Sequence, residues 1–486
     1  MTRSARFLRR DGRLLICALL LALPQLVLTW GFTVDDALIA ARVAHQWVRG
    51  FGYAFNPGGG VVDAVTPLGW AACLAPFAGS SPWHALMAAR WIGVVGWALA
   101  VCIVFREVEA MQVGKGRWWV LGLLFVSSPP AAWASSGMET GLVTLLGALA
   151  LRPSRAAPLA AGVAAALRPE MIPWACVLAA GTQVASGPAA DTRLAPWRAL
   201  KGLAAVAVPV GVVLGLRGLF FGAPTPLSLI AKPPDLAYGV RYLLTSLLWA
   251  GPFWFLVTRS GWPALEGRYR AMAASVVVHA GAVCLAGGDW MPLFRLWVPI
   301  WPCLIVLGAA LSRHASRKGN TARLVAAAVV SLSIGWVSAL PGRNVLQTRA
   351  AWVAQLAPAL TDEDIVGTLD AGWVGAAAPG VVVDFAGVTN PEVAHMAGPH
   401  HAKHLDRGYL NRRRINVLVL LLSDARGVRG RGIELVFERP VETRLVSQEG
   451  FHEFRAVQVI SSEFAPQRYL VLRRDPAPLR GALGPS

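Results

Sequence analysis

Long apolar runs, separated by short stretches rich in arginine, proline and glycine, recur through roughly the first 340 residues. A span of the hydrocarbon core needs about 20 mostly apolar residues in a helix. With 55% apolar and only 15% charged residues in 486, the chain lies far from the roughly one-quarter charged make-up of a soluble domain. It therefore reads as an α-helical polytopic membrane protein, and spans rather than domains are the units to count.

The net charge of +18 would suggest nucleic acid in a soluble protein. From Arg349 onward, however, basic and acidic residues nearly balance, 16 against 15. The excess belongs to the membrane part, where Lys and Arg mark cytoplasmic loops. No nucleic-acid partner is expected. Cys17, Cys73, Cys102, Cys176, Cys284 and Cys303 sit inside apolar segments and none lies in the tail, so neither a disulfide framework nor a CxxC metal site is expected.

Arg3, Arg6, Arg9, Arg10 and Arg13 precede the apolar run Leu14 to Trp30. No small-x-small cleavage site follows, so this run reads as a retained first span with its basic end in the cytoplasm. Further spans are expected near residues 84–105, 118–132, 139–151, 156–168, 171–185, 200–221, 241–258, 270–286, 293–311 and 321–341, about eleven in all. Pro67 to Gly79 is too short to cross and is read as re-entrant or interfacial. This arrangement puts most basic residues of the membrane part inside. It divides the chain into a membrane domain, residues 1–343 with an outer loop at 31–83, and an extracytoplasmic tail, residues 344–486. The tail's short β-rich stretches (Val381 to Asp384, Ile415 to Leu422, Ile433 to Phe437, Ala456 to Ile460, Tyr469 to Leu472) predict a small α/β domain.

The same topology gathers Asp35, Asp36, Asp63, Glu139, Glu170, Asp235 and Asp289 at the outer side. Carboxylates near a bilayer are costly unless hydrated, paired or used. Asp63 and Asp235, each alone in a Gly- or Pro-rich loop, are expected to be solvated. Asp35-Asp36 follows the first span at once and opens a segment, Ala37 to Arg49, with helical periodicity and Arg42, His45, Gln46 and Arg49 on its polar side. That predicts an amphipathic helix on the outer surface. Two readings of the pair stay open: capping groups facing the helix dipole, or a general base taking the proton of an acceptor hydroxyl, with its neighbour as partner.

Several fragments resemble one family. Val34-Asp-Asp-Ala-Leu-Ile-Ala-Ala-Arg-Val-Ala, then Gly50-Phe-Gly-Tyr-Ala-Phe-Asn-Pro-Gly58, then Asp63-Ala-Val-Thr-Pro-Leu-Gly-Trp70 are similar to the first outer loop of GT-C glycosyltransferases, in particular the bacterial terminal arabinofuranosyltransferase branch. Ser135-Ser-Gly-Met-Glu-Thr140, Leu167-Arg-Pro-Glu170, Phe221-Gly-Ala-Pro-Thr-Pro226 through Lys232, Gly287-Gly-Asp-Trp-Met-Pro-Leu-Phe-Arg295, Asp370-Ala-Gly-Trp-Val-Gly375, Val383 to Pro391 and Ala394-His395 continue it over most of the chain. The family's Glu-Gly-Tyr-Thr-Asn stretch is replaced by Asp63-Ala-Val-Thr-Pro67.

The resemblance implies a membrane enzyme using polyprenyl-phosphate sugars, with a catalytic Asp just after the first span. It points to a glycosyltransferase of the cell envelope, multi-pass in the bacterial inner membrane, with a glycan, lipid or protein acceptor at the outer face. Asp35 is then the expected base and Asp36 its partner and alternative. Of the outer-side basic residues Arg42, Arg49, Arg90, Arg168, Arg217, Lys232, Arg241, Arg295 and Arg343, the expected ligands of the donor phosphate are Lys232 and Arg295, which sit in motif-like loops at the membrane surface. Glu139, Arg168, Glu170, Asp289 and Trp290 are candidate substrate-binding residues, Trp290 as a stacking platform. Metal dependence is left open: hard carboxylates of Asp36, Glu139 or Asp289 would suit Mg or Mn. His395, His400, His401 and His404 have ligand-like spacing but lie in a loop-like stretch without cysteine, where positioning an acceptor is the better reading. A transporter or flippase of a lipid-linked glycan is the alternative class.

Overall fold

The computed structural model describes residues 16, 20, 23–111, 122–124, 126–186, 192–423, 437–463 and 465–475. Helices form where the apolar runs lie: residues 23–29, then Pro82–Ala110, Ser128–Ser135, Thr140–Ala150, Ala157–Leu167, Ile172–Ala185, Ala195–Phe221, Leu236–Trp249, Gly251–Leu256, Gly267–Leu285, Trp301–Ser312 and Arg317–Ile334. Among the described residues, three helical runs are long and apolar enough to cross a membrane: Pro82–Ala110, Ala195–Phe221 and Arg317–Ala359.

The expected eleven spans are thus not reached by length. Thr140–Ala150 and Ala157–Leu167 have 11 residues each, rising only about 16 Å at 1.5 Å per residue, against a hydrocarbon core of about 30 Å. Proline is the physical reason at two places. Arg168, extended before Pro169, separates Ala157–Leu167 from Ile172–Ala185, and Ala250 (φ −87°, ψ 107°) before Gly251-Pro252 splits the expected run 241–258 in two; a residue preceding proline is pushed out of the α region. Part of the first run and residues 118–121 and 125 of the third lie outside the described residues. Pro67 to Gly79 makes only a short helix, Trp70–Leu74, and one further turn, Ala75–Phe77.

Lipid exposure and close packing are both written in side-chain size. Ala195–Phe221 buries only Gly202, Val206 and Arg217, leaving Val208, Val212, Leu219 and Phe220 outward, an apolar surface that only a lipid environment accommodates without aggregation. Pro82–Ala110 and Thr140–Ala150 meet backbone to backbone: a methyl on Gly96 would collide with the Gly141 carbonyl, and one on Gly141 with that of Gly93. Small residues at such crossings are the usual device of membrane helices.

The helical run Arg317–Ala359, interrupted by a turn at Arg343-Asn344, carries the chain from the membrane part into the tail. There a five-stranded mixed sheet forms from β1 (Ile365–Thr368), β2 (Val381–Asp384), β3 (Val417–Leu422), β4 (Phe454–Ser462) and β5 (Ala465–Arg474), in the order β2-β1-β3-β5-β4. β1 is parallel to β2 and β3, and β5 is antiparallel to β3 and β4. β3 is buried along its whole length, as a continuous Val/Leu run in a central strand requires. Of the expected strand Ile433 to Phe437, only Phe437 is described, bridging Leu422.

Among the contacts that join the two parts, one is made by the first outer helix. The helix Asp35–Gln46 lies along the short tail helix Ala371–Ala377, which crosses from β1 to β2. At the start of the tail helix, the Asp35 carboxylate accepts hydrogen bonds from the backbone N–H of Gly372 (3.0 Å) and Trp373 (2.8 Å). At its end, the Arg42 guanidinium donates to the carbonyls of Gly375, Ala378 (2.7 Å) and Gly380 (2.9 Å), and its Nε to Phe55 (2.8 Å). A negative group at the N-terminus and a positive one at the C-terminus both complement the helix dipole. Gly372 and Gly375 allow the approach: methyl groups there would strike the Asp35 carbonyl and the Arg42 side chain.

The expected amphipathic surface helix is therefore corrected. Helix Asp35–Gln46 forms, but Arg42 faces the tail rather than water, only 2% exposed, and Gln46 is buried as well. Arg49 alone of the four predicted polar residues is fully outward.

Asp35 also belongs to a charge cluster. Asp370 binds Arg349 (3.0 Å), Arg439 (2.5 Å) and the Tyr469 hydroxyl (2.6 Å), and Arg439 pairs with Glu442 (2.6 Å). Three carboxylates, Asp35, Asp370 and Glu442, thus share two guanidiniums, and the cluster is closest to neutral if it keeps a proton. Arg439 and Arg349 outweigh burial and hold Asp370 well below the usual carboxylate range, whereas burial and the Asp370 charge push Asp35 up to about 8.

Two outcomes are expected. Gly372→Ala inserts a methyl where there is no room, an overpacking that costs about 1–3 kcal/mol; it should lower the melting temperature in detergent and speed proteolysis at the tail junction, and an unchanged protein would remove this contact as the joint. Asp35 binds its proton more tightly docked than undocked, so docking should weaken as pH rises from the ordinary carboxylate value of 3.8 to about 8 and then level off. Tail protection from protease measured between pH 5 and 9 checks this; wild type and Asp35→Asn with the same slope would contradict it.

Candidate active site

Adjacent residues on a helix point about 100° apart. Asp35 and Asp36 therefore serve different surroundings: while Asp35 turns to the tail, Asp36 turns to the membrane domain. Asp35 therefore stands apart from the group that Asp36 forms with Lys232 and Arg295.

Asp36, Lys232 and Arg295 do converge. The Asp36 Oδ2 lies 3.7 Å from the Lys232 Nζ and 3.7 Å from the Arg295 Nη1, and the Asp36 side chain keeps 21% of its surface open. Lys232 ends the short helix Leu227–Ala231, which packs on the tail helix Pro391–Ala394. Arg295 follows two residues with left-handed backbone, Leu293 (φ 60°) and Phe294 (φ 53°). Such conformations are rare for large side chains and persist only where surroundings enforce them. Here Trp133 enforces them, its Nε1 donating to the carbonyls of Pro292 (3.2 Å) and Leu293 (3.1 Å) while its ring faces the Arg295 guanidinium.

Asp289 closes the guanidinium from another side, its Oδ2 2.7 Å from the Arg295 Nε. The two glycines before it take positive φ, and a methyl on Gly288 would strike the Tyr242 ring. Behind this lies a second ionic group: Arg168 binds Glu139 (2.6 Å), the Thr140 hydroxyl (2.7 Å) and Glu170 (3.3 Å). The sequence suggests only the Arg168–Glu170 pair; Glu139, 29 residues earlier and on another element, is the shorter contact. The charges of Glu139 and Glu170 also reach Arg295, so the two groups form one electrostatic system.

Within it, Asp36 has a lowered pKa: burial would raise it, but Lys232 and Arg295 outweigh that and keep it ionised. The residue that sequence reasoning missed is His400. Its imidazole stands 5.7 Å from the half-exposed Trp290 ring and close enough to Lys232 and Asp36 to feel both charges. Burial, with the Lys232 charge, pushes it down to about 3, so it is neutral. Its spacing from the other histidines carried no hint of this, because what brings it to Asp36 is the docking of the tail.

Other candidates are engaged elsewhere. Asp63 is not solvated but buried against Arg217, which also donates to the Thr66 carbonyl. Asp235 caps the helix Leu236–Trp249 by accepting from the Tyr238 N–H (3.0 Å). Arg90 is buried with its guanidinium on the Trp30 ring and carbonyl, and Arg42 is held by tail carbonyls. None of these cations is open to a substrate phosphate. For a divalent metal, no group of three or more His, Cys, Asp or Glu among the described residues is close enough to hold one. Asp36, Asp289 and Glu139 each face a guanidinium or ammonium.

No protein-family model matches the chain, and no curated protein sequence does. Solved structures do match in three dimensions. ArnT from Cupriavidus metallidurans bound to undecaprenyl phosphate aligns with a TM-score of 0.55 at 13% identity, covering 96% of this chain and 98% of that one. The same protein in the apo state aligns with a TM-score of 0.55 at 13% identity, over 97% and 98%. Along nearly its whole length, this chain therefore shares the fold of ArnT.

Proposed function

We propose that this chain is a membrane glycosyltransferase that moves a sugar from a polyprenyl-phosphate donor to a hydroxyl of a glycan, lipid or protein acceptor, at the outer face of a bacterial inner membrane and with the N-terminus in the cytoplasm. The observation that carries this is the convergence of Lys232 and Arg295 on Asp36. At 3.7 Å from each cation, one carboxylate is shared loosely between two positive groups. That is an anion site held open, at the mouth of a membrane domain. The undecaprenyl phosphate bound to ArnT supports the class of lipid.

In this reading Lys232 and Arg295 bind the donor phosphate, and Asp289 and Trp133 fix the Arg295 guanidinium so that little reorganisation is needed as charge develops. The acceptor oxygen attacks the anomeric carbon, the bond from that carbon to the phosphate oxygen breaks, and the acceptor proton passes to Asp36. Polyprenyl phosphate leaves with an extra negative charge, which the two cations stabilise. Asp36 is ionised while paired with them, and its basicity rises as the phosphate takes over their charge. Donor binding thereby prepares the base. Asp35 acts through the docked tail, fixing the helix turn that bears Asp36, and so its part is positioning. Trp290 offers a ring face to a sugar, while Glu139, Arg168 and Glu170 brace the floor of the cluster.

The carboxylates gather at one side of the bundle around a candidate phosphate site, which favours transfer over transport. Protein in nanodiscs, given a panel of polyprenyl-phosphate sugars, should release polyprenyl phosphate. Asp36→Asn should lower kcat by about 10²–10⁴-fold, the usual contribution of a general base, and Lys232→Ala or Arg295→Ala by about 10²-fold or more with a raised donor KM. Wild-type turnover in Asp36→Asn would move the base elsewhere. Translocation in sealed vesicles without cleavage of any donor would instead establish a transporter.

A further inference from the structure

Two aromatic residues from distant parts of the chain meet beside the phosphate site, and we propose that His400 and Trp290 together form the wall that receives the donor's sugar ring. This rests on the transferase reading above and deepens it. Trp290 belongs to the same loop as Arg295, and its ring is 53% exposed. An exposed indole at the lip of a charged cleft is a platform for the C–H face of a sugar. His400 comes from the tail and meets that ring at 5.7 Å with a tilt of 39°. At that separation no sugar fits between the rings, so it would lie across the corner they make.

His400 is held there by the fold. Lys403 donates to the carbonyls of Ala394 (2.8 Å) and Met396 (2.9 Å), and the His404 N–H to that of Ala397 (2.9 Å). Pro391–Ala394, at the base of this loop, packs on the helix that ends at Lys232. The loop is therefore indexed to the phosphate site itself. Since the sugar is joined to the phosphate through a single oxygen, a wall within charge range of Lys232 and Asp36 is where the donor ring must pass. A neutral imidazole suits that place: it offers one N–H donor and one lone pair to sugar hydroxyls, and adds no charge beside the base.

Equilibrium binding to nanodiscs separates this inference from the activity. Affinities for polyprenyl phosphate and for the best-bound polyprenyl-phosphate sugar of the panel are compared in wild type, His400→Ala, His400→Phe and Trp290→Ala. The wild type should prefer the sugar-bearing lipid. In His400→Ala and in Trp290→Ala that preference should fall about tenfold, equivalent to about 1.4 kcal/mol, while affinity for polyprenyl phosphate itself stays within about twofold. His400→Phe should restore part of it through the ring face. A preference that survives His400→Ala overturns the inference even if transfer is observed. An equal loss for both lipids, the mark of a merely misplaced tail, overturns it as well. A preference lost in the variants but accompanied by no transfer in any assay would leave sugar recognition standing and remove the enzymatic reading instead.

Discussion

The joint between the membrane domain and the tail is a helix gripped at both poles. Asp35 takes the free N–H groups that open Ala371–Ala377 and Arg42 takes the carbonyls that end it. Unsatisfied groups at buried helix ends are costly, and a helix this short has no other means of satisfying them beneath the outer loop. The arrangement serves both partners, since the same contacts satisfy two polar groups buried in the first outer helix, the Asp35 carboxyl and the Arg42 guanidinium. Every other feature of the site inherits its geometry from this grip: the turn that presents Asp36, the loop that brings His400 to Trp290, and the packing of the tail on the helix before Lys232.

Charge compensation around Asp36 follows a different logic. Buried ion pairs are poor sources of stability because desolvation offsets attraction, so a system of four carboxylates and three cations at a membrane boundary is poorly explained as a device for folding. Its pairs are also unequal. Glu139 with Arg168 and Asp289 with Arg295 are close contacts at 2.6 and 2.7 Å, whereas Asp36 meets its two cations only at 3.7 Å. The tight pairs fix the guanidiniums, and the loose one leaves Lys232 and Arg295 able to exchange a carboxylate for a phosphate. The left-handed backbone at Leu293 and Phe294 fits this, since strain of this kind is retained where a side chain must be aimed.

Much of this was readable from the chain. Apolar periodicity located the helices, and alternation of short Val/Leu stretches with Gly and Pro located most of the tail's strands, because burial acts on each residue nearly independently of its distant partners. Charge topology set Asp36, Lys232 and Arg295 at one face of the membrane, and the family resemblance suggested that they act together. What misled was anything that depended on direction. Two neighbouring aspartates looked like one catalytic pair, yet helical twist turns them about 100° apart, to different surroundings. Arg42 looked like a surface cation, and Asp63 like a solvated loop residue, because a partner more than a hundred residues away leaves no mark on local composition. The break at Pro169 was legible as a gap between two expected spans, whereas Gly251-Pro252 cuts an apolar run, 241–258, whose composition alone appeared continuous.

The sequence by itself determined the environment, the helical and strand segments and the kinds of charge available at one side of the membrane, since these follow from local hydrophobicity and local backbone preference. Only the tertiary structure decided which carboxylate faces the cations, which guanidiniums are already satisfied, and that a tail imidazole stands over the site. Those outcomes depend on side-chain direction and on contacts between segments hundreds of residues apart, where a difference of a few ångströms separates a pair from a stranger.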